Sequence, residues 1–180
     1  MQNFFIVVDM QNDFIDGALS NKDAQGIVEN VVKRTQQASY DGDNIIFTRD
    51  THLDDYLENT KEGEYLPIKH CIKGTKGWQI CDALKRFELN HPVIDKPTFG
   101  SLTLAKLIKD ADNIDPVGRV TLVGVCTDIC VISNAMLIKA SVPNAEIIVD
   151  ASCTAGVTKE SHKNALSAMK VCHIVIENED

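Results

Sequence analysis

Apolar residues fall along this chain in two rhythms. Short, nearly continuous runs occupy residues 4–8, 44–48, 92–95, 120–125, 146–149 and 173–176. Runs this short, and with this many β-branched residues, suit strands buried on both faces of a parallel sheet. Between several of them the spacing changes to three and four. Ile27, Val28, Val31, Val32 and Thr35 form one helical stripe, and Leu102, Leu104, Leu107 and Ile108 mark a second. Ile129, Ile132, Ala135, Met136 and Ile138 belong to a third, and Ala165, Leu166 and Met169 to a last helix with Thr158 placed to cap its start. The order predicts an α/β fold of one domain over residues 1–180: an open, six-stranded, mostly parallel sheet with helices on both faces, a Rossmann-like three-layer arrangement.

One stretch breaks the rhythm. Residues 51–78 are polar and carry many Asp, Glu, Lys and Gly residues. A connection of this length inside a compact domain is usually functional or disordered, and the ligand-type side chains within it favour function. Composition narrows the classes further. Lys and Arg number 18 against 26 Asp and Glu, a formal net charge of −8, which argues against nucleic-acid or anionic-membrane partners. No apolar run approaches the ~20 residues of a membrane span, and residues 4–8 enter a strand without a basic leader or cleavage signal. Six cysteines lack a disulfide framework spacing, so a reducing, cytoplasmic setting is the expectation. Cys81 and Cys172 lie in apolar segments and read as small buried hydrophobes.

In open α/β sheets, ligands bind beyond the carboxyl ends of the strands. The residues there are Asp9 after the first run, Asp50 and His52 after the second, Lys96 after the third, Cys126 and Cys130 after the fourth and Asp150 after the fifth. Cys130 falls in the first turn of a helix that follows a strand and the turn Cys126-Thr127-Asp128. A helix N-terminus there would lower its thiol pKa and offer free backbone N–H groups to an oxyanion. A cysteine nucleophile needs a proton acceptor. His91, His162 and His173 read as surface residues, so Asp9 with Lys96 is the better pair. Asp50 and His52 could share one metal ion. His70 is the best third ligand, with Glu58, Glu62 and Glu64 near it in sequence, and such a donor set suits Zn, Fe or Mn.

Five ordered motifs resemble the isochorismatase-like cysteine hydrolases, and most closely the nicotinamidase/pyrazinamidase branch. They are Val8-Asp9-Met10-Gln11-Asn12-Asp13-Phe14, Arg49-Asp50-Thr51-His52, His70-Cys71 with Gly74-Thr75 and Gly77, Lys96-Pro97-Thr98-Phe99, and Gly124-Val125-Cys126-Thr127-Asp128 with Cys130-Val131. The resemblance implies a catalytic triad of Asp9, Lys96 and Cys130. It implies an oxyanion hole from the N–H groups of Cys126 and Cys130, with a cis peptide at Val125-Cys126. It implies one divalent transition metal, zinc before iron or manganese, on Asp50, His52 and His70, with Glu62 assigned as the fourth ligand. Phe14 matches one aromatic wall of the substrate site. The aromatic that such proteins carry before the second metal histidine is replaced here by Leu66-Pro67-Ile68-Lys69. The implied activity is hydrolysis of nicotinamide, or pyrazinamide, to the acid and ammonia, which would serve NAD salvage. The partner is then a small-molecule amide, and assembly into a homo-oligomer stays open. Two alternatives remain: a metal-free relative acting on another small amide, a ureido compound or a vinyl ether, and a fold member that binds a ligand or partner without catalysis.

Overall fold

A computed structural model describes residues 1–179. Six strands form one sheet: β1 (Gln2–Val8), β2 (Asn44–Asp50), β3 (Val93–Lys96), β4 (Val117–Val125), β5 (Glu146–Ala155) and β6 (Val175–Glu177). The spatial order is β3-β2-β1-β4-β5-β6, and every neighbouring pair is parallel. The strand order reverses between β1 and β4. That switch point opens a crevice at the carboxyl end of the sheet.

Eight α-helices are assigned among the described residues: α1 (Asn12–Ile15), α2 (Lys22–Asp41), α3 (Tyr56–Asn59), α4 (Lys61–Tyr65), α5 (Lys85–Glu88), α6 (Leu102–Ile114), α7 (Ile132–Ser141) and α8 (Lys159–Val171). Leu104 and Ile108 of α6, Ala135 and Ile138 of α7, and Leu166 and Met169 of α8 bury one face of the sheet. Ala24, Ile27, Val31 and Ala38 of α2 cover the other, together with Ile80, Leu84 and Phe87. Each layer thus follows from an apolar stripe on a helix meeting a two-faced apolar strand. The caps agree with the sequence. The Asn21 side chain accepts from the Ala24 N–H at 2.7 Å, and Thr158 forms a capping box with Ser161. No helix of the described residues is long and apolar enough to cross a membrane.

Several expectations need correction. β5 does not stop near residue 149 but runs to Ala155, so Asp150 lies within the strand. Its buried carboxylate accepts from Arg34 Nε at 3.0 Å and from Ser152 Oγ at 2.7 Å, a structural role. Leu102 and Leu107 lie on the exposed side of α6, and Cys172, just past α8, is exposed rather than buried. Apolar spacing specifies a helix, but not how far its stripe extends beyond the surface it covers.

Candidate active site

The carboxyl ends of β1 and β3 and the turn after β4 converge in the crevice. Asp9 follows β1 with φ of 49°, in the left-handed region, which Asp tolerates better than most residues. Thr48 Oγ1 donates to Asp9 Oδ1 at 2.6 Å. Lys96, the last residue of β3, places Nζ 2.7 Å from Asp9 Oδ2 and 3.3 Å from Cys130 Sγ. The three side chains are buried, with exposures of 0% for Asp9, 1% for Lys96 and 5% for Cys130. Close approach of β1 and β4 makes this convergence possible. A Cβ on Gly124 would lie 2.1 Å from the Val8 carbonyl oxygen, and its φ is 109°. Only glycine lets β4 pass so near the strand that presents Asp9.

Cys130 is not in the first turn of an α-helix. It stands in a π-helical turn, Thr127–Val131, that leads into α7. The peptide Val125-Cys126 before it is cis. The Cys126 N–H, just outside the strand and the turn, donates to no backbone carbonyl among the described residues. Asn134 holds the turn from one helical turn onward: its Nδ2 donates to the Cys130 carbonyl at 2.8 Å, and its Oδ1 accepts from the Ser101 N–H at 2.9 Å.

Electrostatics also differ from the helix-dipole expectation. Complete burial and the neighbouring Asp9 charge push the Cys130 thiol well up, against the pull of Lys96. Burial raises the Asp9 carboxyl, while Lys96 opposes that rise. Burial works against charge on Lys96, but Asp9, Cys130 and Asp50 overcome it and hold the ammonium protonated. The trio therefore joins a charged Lys96 to a carboxyl made more basic than usual and a thiol made less acidic than usual. Cys126 is a poorer candidate nucleophile because no ammonium reaches its sulfur as Lys96 reaches Cys130 Sγ; its thiol is likewise pushed up, to about 12, by burial and the Asp128 charge.

A second cluster adjoins the first. Asp50, His52, Glu62 and His70 offer four ligand atoms within 4.8 Å of one another. His52 Nε2 lies 3.0 Å from Asp50 Oδ2 and 3.7 Å from Glu62 Oε1, and His70 Nε2 lies 3.5 Å and 3.7 Å from the same two oxygens. His70 Nδ1 donates to the Ile68 carbonyl at 2.8 Å, which aims the free Nε2 at the cluster. Burial would raise the Asp50 carboxyl, but hydrogen bonds from both imidazoles and the Lys96 charge hold it far below the usual range. Burial and the Asp50 charge raise Glu62. Two converging carboxylates and two oriented imidazoles are chemically suited to a divalent transition ion, and the repulsion between the carboxylates is what such a charge would relieve. Of the acidic residues near His70 in sequence, Glu62 reaches the cluster. Glu58 is exposed, and Glu64 pairs with Lys61 at the surface.

Sequence reasoning passed over several residues that build this site. Tyr56 is fully buried, packs its ring 4.5 Å from that of His52 and 5.1 Å from that of His70, and donates its hydroxyl to the Leu66 carbonyl. Gln11 clamps Asp50 by accepting from its N–H at 2.7 Å and donating to its carbonyl at 2.9 Å. Asp13 Oδ2 accepts from the Cys71 N–H and so fixes the chain beside His70. Gln11 and Asp13 lie in the first motif, and Asn134 is four residues beyond Cys130 in an apolar stripe; these were the available signals. Tyr56 had none, because its partners come from a loop. His162 was read as a surface residue, yet it is half-buried, and its Nδ1 lies 2.8 Å from the Oγ1 of buried Thr127, in the turn that carries Cys130.

Both clusters open into one cavity of about 1100 Å³, also lined by Phe14, whose ring centroid is 6.0 Å from that of His70. A doubly wound parallel sheet with these reactive groups at its switch point has the form of a hydrolase active site. The chain belongs to the isochorismatase family: the family model described as Isochorismatase domain matches residues 3–180. An isochorismatase family protein of Bacillus subtilis named PncA is 29% identical over 177 residues, covering 93% of each chain. A protein of Arabidopsis thaliana described as a probable inactive nicotinamidase is also 29% identical, over 92% of this chain and 86% of its own. Among solved structures, nicotinamidase PncA of Bacillus subtilis superposes with a TM-score of 0.84 at 26% identity, over 99% of this chain and all of the other. Pyrazinamidase/nicotinamidase of Streptococcus mutans gives 0.83 at 30% identity, over 97% and 99%. Pyrazinamidase of Pyrococcus horikoshii in complex with zinc gives 0.80 at 25% identity, over 98% of both chains.

Proposed function

We propose that this protein is a metal-containing nicotinamidase, a single cysteine hydrolase domain that converts nicotinamide, and pyrazinamide as a surrogate, to the carboxylate and ammonia. One observation carries the reading. Lys96 Nζ reaches Asp9 at 2.7 Å, Cys130 at 3.3 Å and Asp50 at 3.4 Å, so one buried ammonium joins an acid–thiol pair to a four-donor cluster in the same cavity. The two similar pyrazinamidase/nicotinamidase structures and the zinc-bound pyrazinamidase support it.

Cys130 is the nucleophile and Asp9 its base. As the amide carbon approaches, Asp9 takes the Sγ proton and the thiolate attacks. Negative charge then develops on the amide oxygen, where the Cys126 and Cys130 N–H groups stabilise it. Asp9 passes the proton to the nitrogen, the C–N bond breaks, and ammonia leaves a thioester. Asp9 then activates water to hydrolyse that thioester, again through an oxyanion. Lys96 keeps Asp9 positioned and favours its ionised form between the proton transfers. Asp50, His52, Glu62 and His70 would hold the ion, zinc first; when bound it supplies a Lewis-acid anchor for the pyridine nitrogen. Phe14 supplies an apolar wall for the ring. The setting is cytoplasmic NAD salvage.

The test is ammonia release by the purified protein from nicotinamide and other small amides, with elemental analysis and a chelator arm. Release from nicotinamide that falls with chelation supports the reading. Full activity in a metal-free preparation moves the function to a metal-free relative. No release from any amide leaves a ligand-binding family member.

A further inference from the structure

The cavity has two unlike ends. Its floor is closed: Asp9 is fully buried, and Lys96 fills the space between Cys130 Sγ at 3.3 Å and Asp50 Oδ1 at 3.4 Å. Its mouth is wide and has an apolar wall. Leu19, Leu66, Phe99, Ile129 and Val157 line the cavity, with Phe99 and Val157 43% and 56% exposed, beside exposed Ser20, Lys61 and Thr98 on the rim. The volume of about 1100 Å³ reaches the upper end of the ~300–1,000 Å³ typical of pockets for drug-sized ligands. Nicotinamide is far smaller than such a ligand and leaves most of this space empty.

We propose that the site takes primary pyridine-3-carboxamides bearing a bulky apolar group at C5, and excludes substituents at C2 and on the amide nitrogen. This rests on the nicotinamidase reading above. The ring geometry supplies the positions. The carboxamide on C3 must meet Cys130, and N1 must face Asp50, His52, Glu62 and His70. C2 lies between those two anchors and therefore faces Lys96, which joins them at the floor. C5 lies across the ring from C2 and points away from Lys96, toward the apolar mouth. The amide nitrogen departs beside fully buried Asp9, at the closed floor of the cavity, and an alkyl group on it would point into that floor rather than the mouth.

The chemistry is unchanged by the substituent. The C–S bond forms as the amide oxygen takes up charge, the C–N bond then breaks as that charge returns to the carbonyl, the Cys130 proton leaves with ammonia, and water then replaces sulfur on the acyl carbon. What changes is binding. An aryl group at C5 would exchange water for Leu19, Leu66, Phe99, Ile129 and Val157, and apolar area of that size lowers KM by about tenfold.

The experiment measures product release by wild-type protein from nicotinamide, 5-phenylnicotinamide, 2-methylnicotinamide and N-methylnicotinamide. Val157→Trp is assayed in parallel, because its side chain lines the mouth and its N–H, held by the Asp128 carboxylate, is kept. A lower KM for 5-phenylnicotinamide than for nicotinamide at similar kcat is the expected result. The 2-methyl and N-methyl compounds should be poor substrates, and Val157→Trp should penalise the 5-phenyl compound selectively. A kcat/KM for 5-phenylnicotinamide below that of nicotinamide overturns the inference, as does free turnover of either methyl compound. Equal effects of Val157→Trp on both good substrates overturn the placement of C5 at the mouth. Failure to release ammonia from nicotinamide and all its derivatives overturns the nicotinamidase reading itself, and the inference with it.

Discussion

The floor of the cavity and the segment at residues 51–78 place their side chains by different means. Asp9 and Lys96 sit at the ends of β1 and β3, and Cys130 follows β4, so the hydrogen-bonded sheet sets their separation. Glu62 and His70 stand outside the sheet. Their support is local: α3 and α4 have four and five residues, too short to persist alone in water. They are held by the Thr60 cap on Gly63, by buried Tyr56 between the imidazoles and the Leu66 carbonyl, and by Asp13 on the Cys71 N–H. Groups proposed for bond making therefore rest on the global fold, and groups proposed for ring recognition rest on a loop. Asp50 belongs to both, since Oδ1 faces Lys96 and Oδ2 faces the two imidazoles.

The hardest blow to the sheet half is Cys130→Ala, which should abolish ammonia release and leave the protein folded, as circular dichroism would check. Activity that survives there but vanishes in Cys126→Ala would mean the wrong thiol has been chosen. Asp9→Asn and Lys96→Ala come next, each lowering kcat by ~10²–10⁴-fold through lost proton transfer. Lys96→Ala should also cost about 3–5 kcal/mol of stability, because it strands buried Asp9, and urea titration reads that separately. Unchanged turnover in both variants would remove the sheet half from the chemistry.

His52→Ala and Asp50→Asn test how separable the halves are. His52→Ala should lose the metal and nicotinamide hydrolysis yet keep iodoacetamide labelling of Cys130. Asp50→Asn should disturb both, because it alters the neighbour of Lys96 as well as the cluster. Silenced labelling in His52→Ala would mean the halves act as one. The pH dependence of labelling sharpens the floor further. A raised thiol pKa means protonated sulfur at neutral pH, so the thiolate fraction and the rate at Cys130 should rise about tenfold per pH unit below that pKa. A neutral-pH plateau would restore the helix-dipole expectation. The smallest effect belongs to the loop. Tyr56→Phe removes one of two donors from the Leu66 carbonyl, which keeps the Ile68 N–H, and should cost ~0.5–1.5 kcal/mol in thermal unfolding. Metal content should be retained, since the ring still packs on His52 and His70.

Much of this was legible in the chain. Strand ends pointed to Asp9, Asp50, Lys96 and Cys130 before any coordinates, since reactive side chains beyond parallel strands have one crevice to share. Glu62 could not be separated from Glu58 and Glu64 by spacing. The turn of α4 that points Glu62 inward depends on the Thr60 cap and on burial of Gly63 against the Tyr56 carbonyl. The state of the Cys130 thiol was misread because a dipole can be inferred from a helix start, whereas burial depends on everything packed around it. Asp150 was misplaced for a related reason: the apolar run of β5 ends at residue 149, but pairing with β4 resumes after a register shift and carries the strand to Ala155.

The sequence by itself determined the α/β order, the two-faced apolar strands and the identity of the reactive side chains, because these depend on periodicity and residue type. Tertiary structure alone decided that Asp50 faces both clusters, that Lys96 spans thiol and carboxylates, and that the cavity is closed at its floor and open at its mouth. Those are properties of distance between residues far apart in the chain, and of water excluded by their packing, which no local pattern encodes.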